Sequence, residues 1–430
     1  MIDIKLLREN PKPYIDNAKK KGKDTSVINE VLKLDEEWRL LKTEDDNLRA
    51  DRNKISEQIN NAKKSKNEKK AKELIRKAQE IPEKLKKNEE QENRLYSELQ
   101  EKILKIPNLM EKNVPLGKSD KDNVVRKVHG KPIKLSFEPK THVEIAEKLG
   151  IADFEASAEV AGKGFYYIRD ELALLNRALI NFAIDFMVKK GYSYIEPPLM
   201  VNQEVAAAAG DLNAFRLALY KIEGEDAYMI PTAEHAILGM LKNKTIQEEK
   251  LPLKLFGYSM CFRKEIGSHG INEKGLWRTH QFNKVEQFIF CKPEDSWKYY
   301  EELKKNTEEI VQALGLSYRI IEICTGDLGD WKAKSEDVEV WRPTTQSYGE
   351  TMSLSNCTDF QARPLNIRGV SKKGERYVLH TLNNTVLATS RIMVAILENF
   401  QQVDGSVKIP EVLWKYTGFK EIKNSHHNKL

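Results

Sequence analysis

An α+β fold, with an antiparallel sheet preceded by a long two-helix coiled-coil arm, is predicted by three features of this 430-residue chain. Residues 26–106 contain no glycine, are dominated by Lys and Glu, and carry apolar residues at heptad-like spacing. The composition changes near residue 140, after a Pro/Gly-containing linker. Beyond residue 228, strand-like runs outnumber helical ones and several follow each other directly, which favours antiparallel pairing with helices packed against the sheet. No GxGxxG follows a strand, which argues against a Rossmann dinucleotide site. The boundaries read from the sequence are an N-terminal domain over 1–110, with its arm at about 26–106, and a second domain over 111–430.

Bulk composition narrows the function. Hydrophobic residues make up 40% of the chain, enough for a real core, and charged residues 32%. A net charge of +6 is modest for this length, so a nucleic-acid surface would have to be local. Cys261, Cys291, Cys324 and Cys357 are far apart in sequence and form no CxxC or Cys/His pattern, which argues against a zinc site and a secreted disulfide scaffold. There is no long uncharged apolar run, and the opening MIDIKLLREN has neither an apolar signal core nor transit-peptide character. A cytoplasmic protein is expected.

The arm is the first element to justify. Val31, Leu34, Trp38, Leu41, Leu48, Ile55, Ile59 and Ala62 form one seam, interrupted at Asp45 and Arg52. Ala71, Leu74, Ala78, Ile81, Leu85, Leu95 and Leu99 form the other, with polar Asn88 and Glu92 between them. Two antiparallel helices of roughly 35 residues, about 50 Å each, bury these seams against each other. Pro82 is expected to kink or open the second helix. NAKKSKNEKKAK at 61–72 supplies the turn, and its one-signed charge suits contact with a phosphate backbone. A dimerising coiled coil is the competing reading of the seam.

Pro107 ends the second helix, and 111–135 reads as a linker with short extended pieces. Its Gly-Lys-Ser at 117–119 is no Walker loop, because Lys112 stands where the first glycine belongs. ELALLNRALINFAIDFMVKK at 171–190 is a strongly amphipathic helix closed by Gly191. YSYIEPPLMV then reads as a strand entering a proline pair.

GLWRTHQFNKVEQF at 275–288 carries the chemistry. It alternates, but its polar positions hold specific groups among aromatics, as in a strand whose polar face lines a site. It pairs with a preceding strand ending in Phe262-Arg263-Lys264-Glu265, across a loop holding Gly267, Gly270 and Gly275. Arg263 and Glu265 share a face, as do Phe282 and Glu286. The set offers arginine for a phosphate, an aromatic plate for a base, and carboxylates for amines or hydroxyls.

F-R-x-E followed by G-L-x-R-x-H-Q-F-x-K-V-E resembles motif 2 of the class II aminoacyl-tRNA synthetases, in its seryl-tRNA synthetase form. GYSYIEPP at 191–198 resembles motif 1, whose proline lies at the family's dimer interface. IPTAEHAI at 230–237 resembles the family's Thr-x-Glu serine loop, YGETMSLSNCTDFQAR at 348–363 its metal-proximal segment, and TLNNTVLATSRIMVAILENFQ at 381–401 its motif 3. The N-terminal hairpin resembles the tRNA-binding arm.

The resemblance implies a class II catalytic domain and a homodimeric, cytoplasmic ligase that joins serine to tRNA(Ser) at the expense of ATP with Mg²⁺, with the selenocysteine tRNA a further candidate acceptor. It implies catalytic roles for Arg263, Glu265 and Arg391. Thr232, Glu234, Arg263, Glu286 and Thr385 would hold serine. Arg263, Lys264, Glu265, Thr279, Phe282, Glu350, Ser353 and Arg391 would hold ATP, with Glu350 and Ser353 also on the metal. Lys63, Lys64, Lys66, Lys69 and Lys70 would meet tRNA. Many bacterial members carry glycines where this chain has Asn384, Val386 and Ser390, so bulkier groups are expected on the ATP floor.

Blander roles fit other residues. His280 is expected to be structural or to orient its neighbours, the cysteines to pack in the core, Trp331, Trp341 and Trp414 to pack, and NSHHNKL at 424–430 to form a tail. His269 sits in the motif 2 loop, either near the acceptor end of tRNA or in solvent. A non-catalytic relative that binds without aminoacylating is the alternative function, and the complete set of site residues argues against it.

Overall fold

The computed structural model describes residues 1–210, 218–265 and 274–423; His269 and the 424–430 segment lie outside them. The chain divides into two compact units, Ile2–Pro107 and Asn108–Leu430, the latter including Met1.

The first unit holds two short helices, α1 (Ile4–Glu9) and α2 (Lys12–Lys20), and the hairpin of α3 (Ser26–Lys64) and α4 (Glu68–Ile103). At 39 residues, α3 spans about 58 Å. Seam residues Val31, Leu41, Ala62, Ala71, Leu74, Ile81, Leu95 and Leu99 are buried. Trp38 and Tyr96 bring their rings to 5.5 Å across the hairpin. The polar interruptions find partners: Asn88 Nδ2 donates to buried Asp45 Oδ1 at 2.8 Å. The opening expected at Pro82 does not occur, because α4 stays helical through it while neighbouring Ile81 is packed in the seam. Only residues 65–67 form the turn, with Lys66 in the left-handed region at φ 56° and Asn67 capping α4 through the Lys70 amide. Lys63, Lys64, Lys66, Lys69 and Lys70 are all exposed there.

The second unit is built on an eight-stranded sheet. Its strands are β1 (Val124–His129), β2 (Ser193–Ile195), β3 (Leu253–Phe262), β4 (Gln281–Cys291), β5 (Tyr318–Glu322), β6 (Lys334–Arg342), β7 (Ser347–Thr358) and β8 (His380–Ala388). They lie in the order β1-β5-β6-β7-β8-β4-β3-β2, antiparallel except for the β2–β3 pair at one edge. Five helices matter for the site: α5 (His142–Leu149), α6 (Asp170–Lys189), α7 (Ala233–Met240), α8 (Ser296–Ala313) and α9 (Thr389–Asn399). The alternation read in 281–288 is that of β4, although 275–280 precede the strand. Gln287 faces α8, where its Nε2 donates to the Leu303 carbonyl at 3.2 Å and its Oε1 accepts from Asn306 at 3.0 Å. Phe282, Lys284 and Glu286 take the other face and line a cavity. Among the described residues, no helix is long and apolar enough to cross a membrane.

Candidate active site

The cavity has a volume of about 570 Å³ and runs along the sheet face from the start of α7 to the start of α9. At its inner end, Thr232 caps α7 by accepting from the Glu234 amide at 3.3 Å, which fixes the first turn. Glu234 Oε1 accepts from Gln361 Nε2 at 2.7 Å and from Asn383 Nδ2 at 3.0 Å. Burial, with the charge of Glu286 next, pushes the Glu234 carboxyl up to about 7. Glu286 Oε2 lies 2.6 Å from Lys284 Nζ and accepts from Thr385 Oγ1 at 3.2 Å. Behind them, burial and then the Lys284 and Arg263 charges hold the His235 imidazole down at about 3, so it is neutral.

Arg263 forms the middle of the cavity. Its amide donates to the His280 carbonyl at 2.9 Å, and His280 Nδ1 lies 2.8 Å from the Arg263 carbonyl. His280 therefore orients the backbone of Arg263, as expected. The guanidinium donates from Nε to the Pro231 carbonyl at 3.3 Å and lies 5.2 Å from the centre of the Phe282 ring. A planar base stacked on Phe282 would meet the same cation.

At the outer end, Arg391 Nη1 donates to the Glu350 carbonyl at 2.8 Å and lies 3.3 Å from Glu350 Oε2. The Glu350 side chain is about half exposed, and partial desolvation in the cleft works against its carboxylate, but Arg391 and Arg263 prevail and hold it below the usual range. Glu265, at φ 50°, accepts from Arg278 Nη1 at 2.8 Å beside Thr279. Asp337 pairs in register with Ser353, and Glu339 with Glu350. Asp337 Oδ1 is buried with no hydrogen-bond donor, while burial and Glu350 push its carboxyl up to about 7. That orphaned oxygen beside Ser353 and Glu350 is a hard donor set of the kind Mg²⁺ takes when nucleotide phosphates supply the remaining ligands.

The structure thus gathers Thr232, Glu234, Arg263, Glu265, Thr279, Phe282, Glu286, Glu350, Ser353, Thr385 and Arg391 in one cavity. It does not bring Lys264 in: that ammonium lies 5.7 Å from the Tyr220 ring instead, because side chains alternate along an extended segment. Nor do Asn384 and Val386 form an ATP floor. Asn384 Nδ2 donates to the Leu303 carbonyl at 2.9 Å and to Thr307 Oγ1 at 2.6 Å, and Val386 is wholly buried in the core. Of the three bulkier positions only Ser390 lines the cavity. Trp331, expected only to pack, lines it too. Sequence reasoning passed over Lys284, Asp337, Gln361 and Asn383; for Lys284 the signal was its two-residue spacing from Glu286 on one strand face.

A family model for the tRNA synthetase class II core domain (G, H, P, S and T) matches residues 217–400, and one for the seryl-tRNA synthetase N-terminal domain matches 1–110. The serine–tRNA ligase of Pyrococcus abyssi is 45% identical over 446 residues, covering 98% of this chain and 97% of its own length. The crystal structure of seryl-tRNA synthetase from Pyrococcus horikoshii complexed with ATP aligns with a TM-score of 0.92 at 42% identity, covering 98% of this chain and 99% of that one. A cytoplasmic serine–tRNA ligase from Naegleria fowleri in complex with AMP aligns at 0.87 and 33% identity, again over 98% and 99%. With a cavity whose two ends are an acidic pocket and an arginine-bearing cleft, and relatives matched along nearly their whole length, this chain belongs to the seryl-tRNA synthetase family of class II aminoacyl-tRNA synthetases.

Proposed function

We propose that the chain activates serine with ATP and transfers it to the 3′ end of tRNA(Ser). The observation that carries this reading is that Arg263 shares one cavity with a buried carboxylate pair, Glu234 and Glu286, and with the Arg391–Glu350 pair, and that its charge acts both on Glu350 and on His235 next to Glu234. Serine lies with its ammonium toward Glu234 and its hydroxyl toward Glu286 and Thr385. Its carboxylate then faces Arg263, which also neutralises the α-phosphate of ATP. Adenine stacks on Phe282, Glu265 and Thr279 contact the nucleotide, and Arg391 holds the far phosphates.

The serine carboxylate is already a nucleophile, so no general base is required. One carboxylate oxygen bonds to the α-phosphorus, the bond to the β-phosphate oxygen breaks, and pyrophosphate leaves with seryl-adenylate retained. Positioning and charge neutralisation by Arg263 and Arg391 supply the catalysis. Glu350, Ser353 and Asp337 would hold Mg²⁺, which supplies further phosphate charge neutralisation when bound. In the second step a terminal ribose hydroxyl of the tRNA attacks the seryl carbonyl and AMP leaves. The exposed lysines of the arm tip suit the tRNA backbone, and the motif 1 resemblance supports a homodimer. Four free, buried cysteines suit a reducing cytoplasm.

Amino-acid-dependent ATP–pyrophosphate exchange across Ser, Thr, Ala, Gly and Cys tests the reading. Exchange with serine alone is expected. Equal exchange with alanine would remove the Glu286 hydroxyl contact from it, and no exchange at all would overturn it.

A further inference from the structure

We infer that Trp277 is a positioning residue for Arg391, and that a buried Arg342–Glu398 pair holds Trp277 in place. The inference rests on the reading above in one respect, that Arg391 meets the nucleotide.

Arg391 and Glu398 both sit on α9, seven residues apart, and so share a helix face. Glu398 is fully buried. Arg342 grips it with a fork, Nε to Oε2 at 3.1 Å and Nη2 to Oε1 at 2.8 Å. Thr344 Oγ1 donates to Oε2 at 2.8 Å, and His142 Nδ1 lies 3.0 Å from Oε1. The Leu276 amide donates to His142 Nε2 at 3.0 Å, so the imidazole carries its proton on Nδ1 and donates it to Glu398. The fork and these two further donors on one carboxylate leave Arg342 no rotational freedom.

The guanidinium so fixed lies 4.2 Å from the centre of the Trp277 ring. The Arg391 guanidinium lies 5.4 Å from the same ring. A Cβ on Gly349 would fall 2.5 Å from the indole, so the edge of the ring rests on bare backbone there. Arg391 Nε donates to the Trp277 carbonyl at 3.3 Å, while its Nη1 is tied to Glu350. One tryptophan thus gives Arg391 both a flat cation-binding surface and an acceptor. Glu398 cancels the charge of Arg342, so the second guanidinium at this ring does not repel the first. An arginine has many rotamers, and holding its Nε and Nη1 fixes the guanidinium before ATP arrives.

The test is a double-mutant cycle in the full-length protein, read by calorimetric ATP binding without serine and by the KM values of both substrates in exchange. Trp277→Leu should weaken ATP binding about tenfold, below the roughly hundredfold cost of a 1 Å misplacement at the chemistry. The serine KM should stay within about twofold, and Trp277→Phe should restore most of the loss. In an Arg391→Ala background, Trp277→Leu should cost nothing further. Arg342→Lys, which keeps the charge and loses the fork, should reproduce part of the ATP defect while the protein stays folded. Additive losses in the cycle would overturn the inference, as would ATP and serine KM rising together with a lowered Tm. A protein that binds ATP but gives no serine-dependent exchange would refute the ligase reading, while the binding cycle still decides the role of Trp277.

Discussion

Lys284 Nζ lies 2.6 Å from Glu286 Oε2, and both side chains are less than a tenth exposed. They stand two apart on β4, so the strand itself sets their spacing. A buried carboxylate with an ammonium on one oxygen and Thr385 on the same oxygen leaves its other oxygen to accept from a ligand hydroxyl. Glu286→Ala should therefore lower serine kcat/KM by roughly 10²-fold or more, since a hydrogen bond to a charged group is lost and Lys284 is left buried and unpaired. ATP affinity should change by less than about threefold. Parallel losses in both, measured by exchange kinetics and calorimetry, would remove Glu286 from the serine pocket.

The raised carboxyl of Glu234 predicts a pH dependence of serine binding. With the free-site carboxyl titrating at about 7, the ionised form that pairs with an ammonium dominates only above that pH. Serine should bind with release of a proton below pH 7, so log KM for serine should rise by about one unit for each unit the pH falls below 7. ATP should show no matching slope. In Glu234→Gln the slope should vanish along with most of the affinity, as measured by calorimetry in buffers of different ionisation heat.

Much of this site was legible because its chemistry sits in contiguous strand segments. Arg263 with Glu265, and Phe282 with Glu286, could each be placed on a shared face from a two-residue period alone. What stayed hidden depends on register between distant strands. Gln361 and Asn383 converge on Glu234 from positions 127 and 149 residues away, and no spacing rule reports that. Asp337 meets Ser353 only through the β6–β7 ladder. Asn384 and Val386 were misplaced for the same reason: alternation along β8 decides whether a residue faces the cavity or α8, and its bulge between Thr385 and Leu387 shifts that alternation. In the arm, the seam was visible but not that Asp45 and Asn88 meet within it.

Glu398 makes an acid-stability prediction. Burial would raise its carboxyl, but the hydrogen bonds from His142 and Arg342 outweigh that and hold it at about 2. A folded-state value below the unfolded one stabilises at pH above the ordinary carboxylate range, and the contribution is lost as pH falls from about 4.5 toward 2. The shift corresponds to about 3 kcal/mol. Thermal unfolding between pH 7 and pH 3 should show roughly two thirds of this loss, and Glu398→Gln should start less stable and lose less on acidification.

Asp45 and Asn88 should set the register of the arm. Asn88→Ala removes the donor from a buried carboxylate and should destabilise the hairpin by about 1–3 kcal/mol. Asp45→Leu with Asn88→Leu should regain that stability by burying apolar surface, yet permit slipped pairings, as a lone polar pair in a seam commonly fixes register. Hydrogen exchange along α3 and α4 in the full-length protein reads both. Uniform protection in the double variant with one set of exchange rates would show that the pair does not specify register.

The arm tip makes a prediction about salt. Lys63, Lys64, Lys66, Lys69 and Lys70 surround a three-residue turn and are all exposed, so none is committed to holding the fold. Their concentration at the turn gives a local positive potential on a chain whose net charge is only +6. Each phosphate neutralised by such a lysine releases a condensed counterion, which contributes about 0.7–0.9 to the slope of log K against log salt. Replacing all five with Ala should therefore weaken tRNA binding by a factor that shrinks as salt is raised, and flatten the slope by up to about four. Serine-dependent exchange without tRNA should be unaffected, because none of the five lines the cavity. An unchanged slope in filter-binding titrations at several salt concentrations would place the tRNA contact on another surface.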